Sequence, residues 1–574
     1  MIKDIKINNE LNFASSIILY DVVAEKYQTQ LSKIVISNDG FYIEFYSSEP
    51  ISSNDLDAIE KTCLKEISLN KPIILNNKEV TLNKYEKYFK EENKQLDCSF
   101  YTYNKTNVFS FGYELNVPYE TKKIHSFKLL SIGGTKWLND DHNETLIRIN
   151  GISFANKDEA KIWLEQYEDK KERDHRKIGE ELKIFTLNPL AGQGLPIWLP
   201  RGFALRDALS KFINKTEFKY HFEAVSTPVL GTVDLYKTSG HYAHYKNNMF
   251  PEMHLADGES LILRPMTCPH HVLVYKNEPK SYKDLPLRLS EDSILHRYEA
   301  SGGLTGLERV RMMDLADIHI FARHDQIKTE IKRTYEMLKE IHHILGIEFS
   351  SIDLSLHDPK DKEKFFDNKQ MWESSENQLR EALKELNVPF KEEVGEAAFY
   401  GPKIDFQAKT ALDHIVTVST IQLDFLLPDR FQLTYKNKDN NEEIPVMIHV
   451  SAIGTYERFV AVLLEQTKGK LPLWLSPDQV IIIPVNNEVY DYANEIEKEL
   501  RQHMIRTIIN TSDERLSKKI REAQIQKIPY QVVIGKDEVL NKDITVRKYG
   551  EEKTMKMSLN NFIDLLKEQI KQYK

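Results

Sequence analysis

The sequence has few of the features that mark secreted or membrane proteins. It contains 3 cysteines in 574 residues, which are too few for a disulfide framework. We therefore expect the protein to be located in the reducing cytoplasm. No run of 18 apolar residues occurs, which argues against a transmembrane helix and a membrane partner. The first residues, MIKDIKINNELNF, are polar and mixed in charge, and they lack the basic and apolar regions of a signal peptide.

The chain also lacks an excess of positive charge, internal repeats and low-complexity tracts. Its formal net charge is −9, so the whole chain is not an obvious nucleic-acid binder, although a local basic face can serve that role. The composition is that of an ordinary globular protein, with 41% hydrophobic and 29% charged residues. Because a chain of 574 residues is too long to fold around one hydrophobic core, we expect about three or four domains.

Residues 1–155 have the pattern of a mixed α+β domain. Alternating apolar and polar residues predict strands at 40–46 and 145–154. Helical spacing of apolar residues predicts a helix at 56–67. Strands and a helix in one segment indicate a separate folding unit at the start of the chain.

Three further segments follow. In the segment 156–187, a long charged pattern predicts one helix over 157–185, which we interpret as a solvated connector between domains. Residues 188–474 mix strands and helices and form the largest domain, which starts with a Gly- and Pro-rich stretch and ends at the linker WLSPDQ. Residues 475–574 alternate strand and helix patterns, and this βαβαβ order predicts a small α/β domain with a largely parallel sheet.

One cysteine and two histidines stand in unusual contexts, and together they are candidates for a metal site. Cys268, His319 and His449 lie in RPMTCPHH, DLADIHIF and PVMIHVSAIG. One thiolate and two imidazoles form a zinc set that leaves a fourth position open. Each residue alone is more simply explained as a satisfied core residue on an apolar run. Separations of about 50 and 130 residues do not by themselves prove a shared site. The surrounding segments favour the metal.

A second pattern concerns charged residues between 288 and 321. Arg297 and Glu299 are two apart on a predicted strand, as are Arg309 and Arg311, so each pair is expected to face one side of a sheet. Aligned guanidinium groups suit a triphosphate, since each makes paired charge-assisted hydrogen bonds. On this stretch alone, a structural ladder of ion pairs is an equally good explanation.

These segments resemble the threonyl-tRNA synthetases of class II, strongly over residues 145–574 and weakly before them. Further matching segments occur in the family's order: TSGHYAHYKNNMF, SYKDLPLRL, GEAAFYGPKIDF and STIQLDF. The resemblance implies an α+β multidomain fold. It would comprise an N-terminal editing-like domain, a class II antiparallel sheet flanked by helices, and a C-terminal α/β anticodon-binding domain.

The activity that the resemblance implies is that of a threonine-tRNA ligase. L-threonine would be activated with ATP to threonyl-adenylate and transferred to the 3′ end of tRNA(Thr). The enzyme would be a homodimer that uses Mg²⁺ and one Zn²⁺ per subunit. The zinc would bind the amine and the hydroxyl of threonine at its open side. Valine lacks the hydroxyl and would be rejected strongly, whereas serine lacks only the methyl group and would be rejected modestly.

The resemblance also implies roles for single residues. The zinc ligands would be Cys268, His319 and His449. ATP would be bound by Arg297, Glu299, Arg309, Met313, Gln422 and Arg458. Threonine would be bound by Asp317, Tyr400 and Gln422. The catalytic residues would be Arg297 (motif 2), Arg458 (motif 3), Lys403 and His241, the last in the transfer step. Glu538 and Arg547 would contact tRNA.

The N-terminal segment departs from the family's editing domain. The family uses an HxxxH pair and a CxxxH pair, which align here with Ser16 and Tyr20 and with Gly112 and Asn116. The histidines and the cysteine are therefore absent at these positions. We expect a degenerate domain that does not hydrolyse Ser-tRNA(Thr), and we expect no ubiquitin-like domain before it.

The catalytic segment departs from the family as well. Met312 and Met313 stand where Gly-Phe is usual, so stacking on adenine is expected to weaken. Further departures occur at Leu315, Val418, Ser419 and Val450. We rank an ordinary threonine-activating enzyme first, because the zinc set and the arginines remain. The alternatives are a specialised paralogue, tolerant of an inhibitor or altered in amino-acid use, and a non-catalytic tRNA-binding homologue.

Overall fold

The structure is a computed structural model that describes residues 6–76, 80–94, 98–140, 142–365, 367–410 and 414–574. Its contacts divide the chain into two compact units, Met1–Asp169 and Lys170–Lys574. Within the described ranges, every helix is too short or too polar to cross a bilayer.

The N-terminal unit is built around helix α1, which is buried on nearly all sides from Leu11 to Val23. It packs against strands β1, β2 and β8 and helix α2. The predicted strands 40–46 and 145–154 and the predicted helix 56–67 are present. The elements are α1 (Asn9–Lys26), β1 (Thr29–Ser37), β2 (Gly40–Ser47), α2 (Ser53–Ser68), β3 (Pro72–Leu75), α3 (Lys84–Glu92), β4 (Cys98–Tyr103), β5 (Thr106–Phe111), β6 (Tyr119–Glu120), β7 (Ser126–Lys136), β8 (Thr145–Phe154) and α4 (Lys157–Glu172).

The prediction of one continuous helix over 157–185 is wrong. Helix α4 ends at Glu172 and a second helix, α5 (His175–Glu181), begins three residues later. Asp174 causes the break, because its side chain accepts a hydrogen bond from the amide of Arg176 at 2.8 Å and caps the new helix. The segment is also more than a solvated connector, since His175, Ile178 and Gly179 are buried.

The large C-terminal unit begins with the elements that surround its eight-stranded sheet. The helices are α5, α6 (Pro200–Lys219), α7 (Val233–Ser239), α8 (His241–Tyr245), α9 (Cys268–Lys276), α10 (Ile327–Leu345), α11 (Lys369–Glu385), α12 (Leu426–Arg430) and α13 (Tyr456–Thr467). The strands are β9 (Phe185–Thr186), β10 (Ile197–Trp198), β11 (Glu223–Ala224), β12 (Leu230–Thr232), β13 (Met253–His254), β14 (Ser260–Leu263), β15 (Lys280–Ser281), β16 (Leu287–His296), β17 (Met312–Ala322), β18 (Ser351–Leu356), β19 (Lys391–Val394), β20 (Lys403–Lys409), β21 (Ile415–Asp424), β22 (Tyr435–Lys436), β23 (Glu442–Glu443) and β24 (Val446–Thr455).

Eight strands of this described part form one sheet in the order β11-β16-β17-β24-β21-β20-β18-β19. The central ladders from β16 to β18 are antiparallel, and the two edge pairs are parallel. Helices α6, α10 and α13 cover one face, where Ile318, Ile320 and Ile448 join the main core. Because side chains alternate along a strand, the residues between them face the opposite side.

The C-terminal elements form a five-stranded sheet in the order β26-β25-β27-β28-β29. The predicted βαβαβ order is present, and β25 pairs in parallel with β26 and β27. The sheet is nevertheless mixed, because β28 and β29 extend it as an antiparallel hairpin that the sequence analysis missed. The elements are β25 (Val480–Pro484), α14 (Tyr490–Gln502), β26 (Thr507–Ile509), α15 (Leu516–Ile525), β27 (Tyr530–Ile534), α16 (Lys536–Asn541), β28 (Ile544–Lys548), β29 (Thr554–Met557) and α17 (Leu559–Lys571).

Candidate active site

Four predicted site residues form one row across the open face of the large sheet. His319 on β17 lies opposite His449 on β24. His449 lies opposite Gln422 on β21, and Gln422 lies opposite Lys403 on β20. Residues opposite one another in an antiparallel ladder project to the same face. The pairing of four strands therefore brings together residues that are up to 130 positions apart in sequence.

A second row lies two residues further along the same strands. Asp317 is opposite Ser451, Ser451 is opposite Thr420, and Thr420 is opposite Asp405. The Thr420 hydroxyl donates to Asp405 at 3.1 Å. Lys403 makes an ion pair with Asp405 within its own strand. Asp317 was predicted, whereas the other three members of this row were not.

The candidate metal ligands come from three elements. Cys268 is the first residue of α9, and the two histidines face each other across the ladder. One donor atom from each of Cys268, His319 and His449 lies within 4.8 Å of the other two. Nε2 of His319 and Nδ1 of His449 are 3.0 Å apart. The structure therefore brings the three predicted residues together as a candidate metal site.

Surrounding residues orient the two imidazoles. His449 Nε2 is 2.8 Å from Asp424 Oδ2. His319 Nδ1 is 2.8 Å from His271 Nδ1, and His271 Nε2 is 3.1 Å from Glu291 Oε2. Carboxylates that hold the second nitrogen of a metal-binding histidine are a regular part of such sites. His271 and Asp424 were not predicted from the sequence, although His271 belongs to the same CPHH segment as Cys268.

The donor set fits a zinc ion. Burial lowers the pKa of His319 well below its ordinary value, so its ring is neutral and offers a lone pair. Burial raises the pKa of the Cys268 thiol, so a cation is needed to hold the thiolate form there. A mixed sulfur and nitrogen set of three is typical of zinc sites with an open position.

The metal candidates line one end of a cavity of about 520 Å³. Tyr400 forms part of the wall, with its ring stacked on His449 at 5.1 Å and its hydroxyl donating to Gln422 Oε1 at 2.6 Å. The predicted residues that line the cavity are Cys268, Arg297, Met313, Asp317, His319, Tyr400, Lys403, Gln422, His449 and Arg458. One pocket thus combines the candidate metal set with two arginines and a lysine.

The charged residues of the loop after β16 do not lie on strands as predicted. Strand β16 ends at His296 and β17 begins at Met312, so Arg297, Glu299, Arg309 and Arg311 belong to the connection. Glu299 Oε2 accepts a hydrogen bond from Arg309 Nε at 3.0 Å, and its backbone carbonyl accepts one from Arg311 Nε at 2.9 Å. The ion-pair alternative is therefore realised for Glu299 and Arg309, which stand outside the cavity lining.

Arg458 also lines the cavity and lies in the first turn of α13. Its Nε donates to the backbone carbonyl of Glu308 at 3.1 Å. Burial lowers its pKa, and the neighbouring Arg297 and Arg309 act in the same direction. Arg297 and Arg458 both line the cavity, so they give its wall a positive charge that favours an anion.

The remaining predicted residues lie outside the cavity lining. His241 is buried behind Cys268, with Nε2 3.7 Å from Sγ and Nδ1 2.7 Å from Ser239 Oγ. Burial lowers the pKa of His241 to about 3. Glu538 lies in the first turn of α16 and accepts a hydrogen bond from the amide of Gly535 at 2.8 Å, and Arg547 lies on β28. The last two belong to the C-terminal sheet region and not to the cavity.

Comparison with known proteins accounts for this arrangement. The model of the tRNA synthetase class II core domain (G, H, P, S and T) matches residues 252–467, and the anticodon binding domain model matches residues 479–569. A threonine–tRNA ligase from Ureaplasma parvum serovar 3 is 51% identical and covers 99% of both chains. The chain belongs to the threonine–tRNA ligase family.

Other members of the threonine–tRNA ligase family agree. The Staphylococcus aureus ligase (strain NCTC 8325 / PS 47) is 46% identical over 93% of this chain and 83% of its own. A crystal structure of the RNA binding domain of threonyl-tRNA synthetase from Cryptosporidium parvum Iowa II has 37% identity and a TM-score of 0.66. It covers 69% of this chain and 98% of its own. The fold predicted from sequence, with a class II core and an anticodon-binding domain, is confirmed.

Proposed function

We propose that the cavity beside Cys268 is where this ligase activates threonine. The observation that carries the proposal is the cross-strand row. It places the candidate metal ligands His319 and His449 beside Gln422 and Lys403 in one cavity. Threonine would lie at the metal end, and ATP would lie towards the arginines.

The arginines would neutralise charge during activation. A carboxylate oxygen of threonine bonds to the α-phosphorus of ATP as the bond to pyrophosphate breaks, so negative charge accumulates on the phosphates. Arg297 and Arg458 line the cavity and can bind these oxygens in pairs. Mg²⁺, which the family requires with ATP, would share the charge. Positioning and electrostatic stabilisation then account for most of the rate.

The polar residues of the two rows would orient threonine. Tyr400 already holds the Gln422 carbonyl, which leaves the amide N–H groups of Gln422 to donate. Asp317 is buried beside the metal candidates and can accept from an ammonium or hydroxyl group. Zinc held by Cys268, His319 and His449 would supply a Lewis-acid contact to the amine and hydroxyl of threonine, which valine cannot complete.

We infer further that the N-terminal domain does not edit Ser-tRNA(Thr). Ser16 is buried in α1 and donates to the carbonyl of Phe13 at 2.7 Å. The Tyr20 hydroxyl accepts from the amide of Leu31 at 3.0 Å. Both groups are therefore engaged in the core, and neither provides an imidazole. Gly112 has no functional side chain.

A deacylation assay tests this part of the proposal. Purified Ser-tRNA(Thr) is incubated with the full chain, and free tRNA is measured over time against buffer alone. We expect hydrolysis at the background rate. Hydrolysis by the full chain that disappears when Tyr20 or Asn116 is replaced by alanine would place a working site in this domain.

The remaining roles concern tRNA, assembly and location. We propose that Glu538 and Arg547 contact the anticodon, which fits their place in the segment matched by the anticodon binding domain model. We propose a homodimer with Pro228 near the interface, because its segment VSTPVL resembles motif 1, which builds the dimer interface in this family. The cysteines form no disulfide in the described residues, which supports a cytoplasmic location.

ATP–pyrophosphate exchange across a panel of amino acids tests the central proposal. We expect exchange with threonine, weaker exchange with serine and essentially none with valine. Arg297→Ala and Arg458→Ala are expected to lower kcat/KM for ATP by about 100-fold or more, as for loss of a charge-stabilising group. Threonine-dependent exchange that both variants leave unchanged would contradict the placement of ATP.

A further inference from the structure

His175 is buried at the start of α5 and connects two other parts of the catalytic domain. Its Nδ1 lies 2.7 Å from Glu465 Oε1 near the end of α13. Its Nε2 accepts a hydrogen bond from the amide of Leu307 at 3.1 Å. A carboxylate can only accept, so Nδ1 carries the proton and Nε2 keeps its lone pair. Glu465 thereby sets the tautomer that the Leu307 amide requires.

The loop that donates this hydrogen bond, residues 301–311, packs tightly against the imidazole of His175. Gly306 has a φ of +47°, and a Cβ at this position would clash with His175 Nε2. Only glycine therefore allows the backbone to come this close in this conformation. The next residue, Leu307, is fully buried in the main core.

The same loop carries groups of the proposed ATP site. Arg309 follows Leu307 by two residues and pairs with Glu299. The carbonyl of Glu308 accepts from Arg458 Nε at 3.1 Å. Arg458 lies in the first turn of α13, and Glu465 lies near the end of that helix. His175 thus contacts the loop through Leu307, and the loop contacts Arg458 through the carbonyl of Glu308. Arg458 and Glu465 lie on the same helix, α13, and Glu465 contacts His175.

We propose that His175 and Glu465 are positioning residues for ATP, which act by fixing loop 301–311 and, through it, Arg309 and Arg458. The proposal rests on the ATP-binding role proposed above for Arg458 and on the one that the family resemblance implies for Arg309. The short segment between α4 and α6 is then part of the active-site support as well as a connection between domains. Removing the acceptor leaves a buried amide of Leu307 without a partner, which favours movement of the loop.

Four substitutions separate positioning from packing. His175→Gln places its amide oxygen near the position of Nε2 and can still accept from Leu307, whereas the shorter His175→Asn reaches only towards Glu465. Gly306→Ala lifts the loop from the ring and changes no residue of the core. Ile178→Val removes one methylene from the same buried face of α5 and leaves both hydrogen bonds intact.

Kinetics of ATP–pyrophosphate exchange by the full-length enzyme provide the test. For His175→Asn and Gly306→Ala we expect KM for ATP to rise about tenfold, which corresponds to about 1.4 kcal/mol, with KM for threonine unchanged. His175→Gln should recover most of the ATP affinity, and Ile178→Val should match the wild type. Dissociation constants for ATP, measured by calorimetry without threonine, should show the same order.

Two outcomes overturn the proposal. One is an unchanged KM for ATP in a folded His175→Asn enzyme, and the other is an equal effect of His175→Gln and His175→Asn. If His175→Asn does not fold, Gly306→Ala decides, and an unchanged ATP affinity there also overturns it. A wild-type enzyme that binds ATP without any threonine-dependent exchange would instead contradict the proposed function, and calorimetry would still test the role of His175.

Discussion

His449 Nε2 lies 2.8 Å from Asp424 Oδ2, and this contact determines which nitrogen of His449 faces the other metal-ligand candidates. The carboxylate accepts the Nε2 proton, so Nδ1 keeps its lone pair and points to His319, 3.0 Å away. The second oxygen of Asp424 is also engaged, because Oδ1 accepts from the amides of Leu426 and Leu427. One buried carboxylate thus orients a candidate ligand and accepts hydrogen bonds from the first two amides of helix α12.

Asp424→Asn is expected to weaken metal binding without removing a ligand. The asparagine oxygen can serve the two amides of α12, but its NH₂ group then faces His449 Nε2 and favours the tautomer with a proton on Nδ1. A loss of about 10- to 100-fold in zinc affinity is expected. Competition with a chromogenic chelator measures it, and Asp325→Asn, an exposed ion-pair partner of Arg323, is the matched control. Unchanged zinc affinity would show that Asp424 does not orient His449.

Cys268→Ser is expected to abolish both zinc content and threonine activation. Serine keeps the size of the side chain but is a poor zinc ligand, because its hydroxyl stays protonated near neutral pH. Metal content by mass spectrometry and threonine-dependent exchange are the two measurements. Cys98→Ser, at an exposed cysteine of the N-terminal unit, is the control and should change neither. Full activity of a zinc-free Cys268→Ser enzyme would refute the ligand assignment.

Much of this site could be predicted because its residues lie in distinctive local segments. Cys268, His319 and His449 each stand in a short segment that resembles the family, and the structure places them together. The strand at 145–154 and the helix at 56–67 follow from local periodicity, which depends only on neighbouring residues. Predictions of this kind need no knowledge of which strands pair.

The supporting residues could not be predicted, because their roles depend on tertiary contacts. Asp424 and His271 act on histidines that are 25 and 48 residues away, and the strand register that joins them has no local signal. The pattern of apolar residues continues through 157–185, so it conceals the helix start that Asp174 caps. His175 was read as part of that solvated helix, although its partners lie 132 and 290 residues away.

Met313→Phe is expected to tighten ATP binding. Met313 lines the cavity and is 7% exposed, whereas its neighbour Met312 is 41% exposed and lies outside the lining. An aromatic ring at position 313 would stack on adenine more strongly than a thioether, which is expected to lower KM for ATP about three- to fivefold. Exchange kinetics measure the change, and Met312→Phe is the matched control with no expected effect. A higher KM in Met313→Phe would indicate that the ring overfills the cavity.

Glu217 on α6 is expected to make the enzyme less stable as the pH rises. Its side chain is 3% exposed, and burial together with the nearby Asp292 raises its pKa to about 8, from an ordinary value of 4.5. Below about pH 4.5 the carboxyl is protonated in both the folded and the unfolded chain. Between pH 4.5 and pH 8 the folded chain binds the proton more tightly than the unfolded chain. The free energy of unfolding therefore falls progressively as the pH rises towards 8.

Glu217→Gln keeps the shape of the neutral carboxyl and cannot ionise. We expect its thermal midpoint to equal that of the wild type near pH 5 and to exceed it by several degrees at pH 9. The expected difference in the free energy of unfolding at pH 9 is on the order of 2–4 kcal/mol. Thermal unfolding followed by circular dichroism across this range measures both curves. Glu336→Gln, on the exposed side of α10, is the control and should run parallel to the wild type. If Glu217→Gln also runs parallel, Glu217 has the same pKa in the folded and unfolded chains, and burial does not hold its proton.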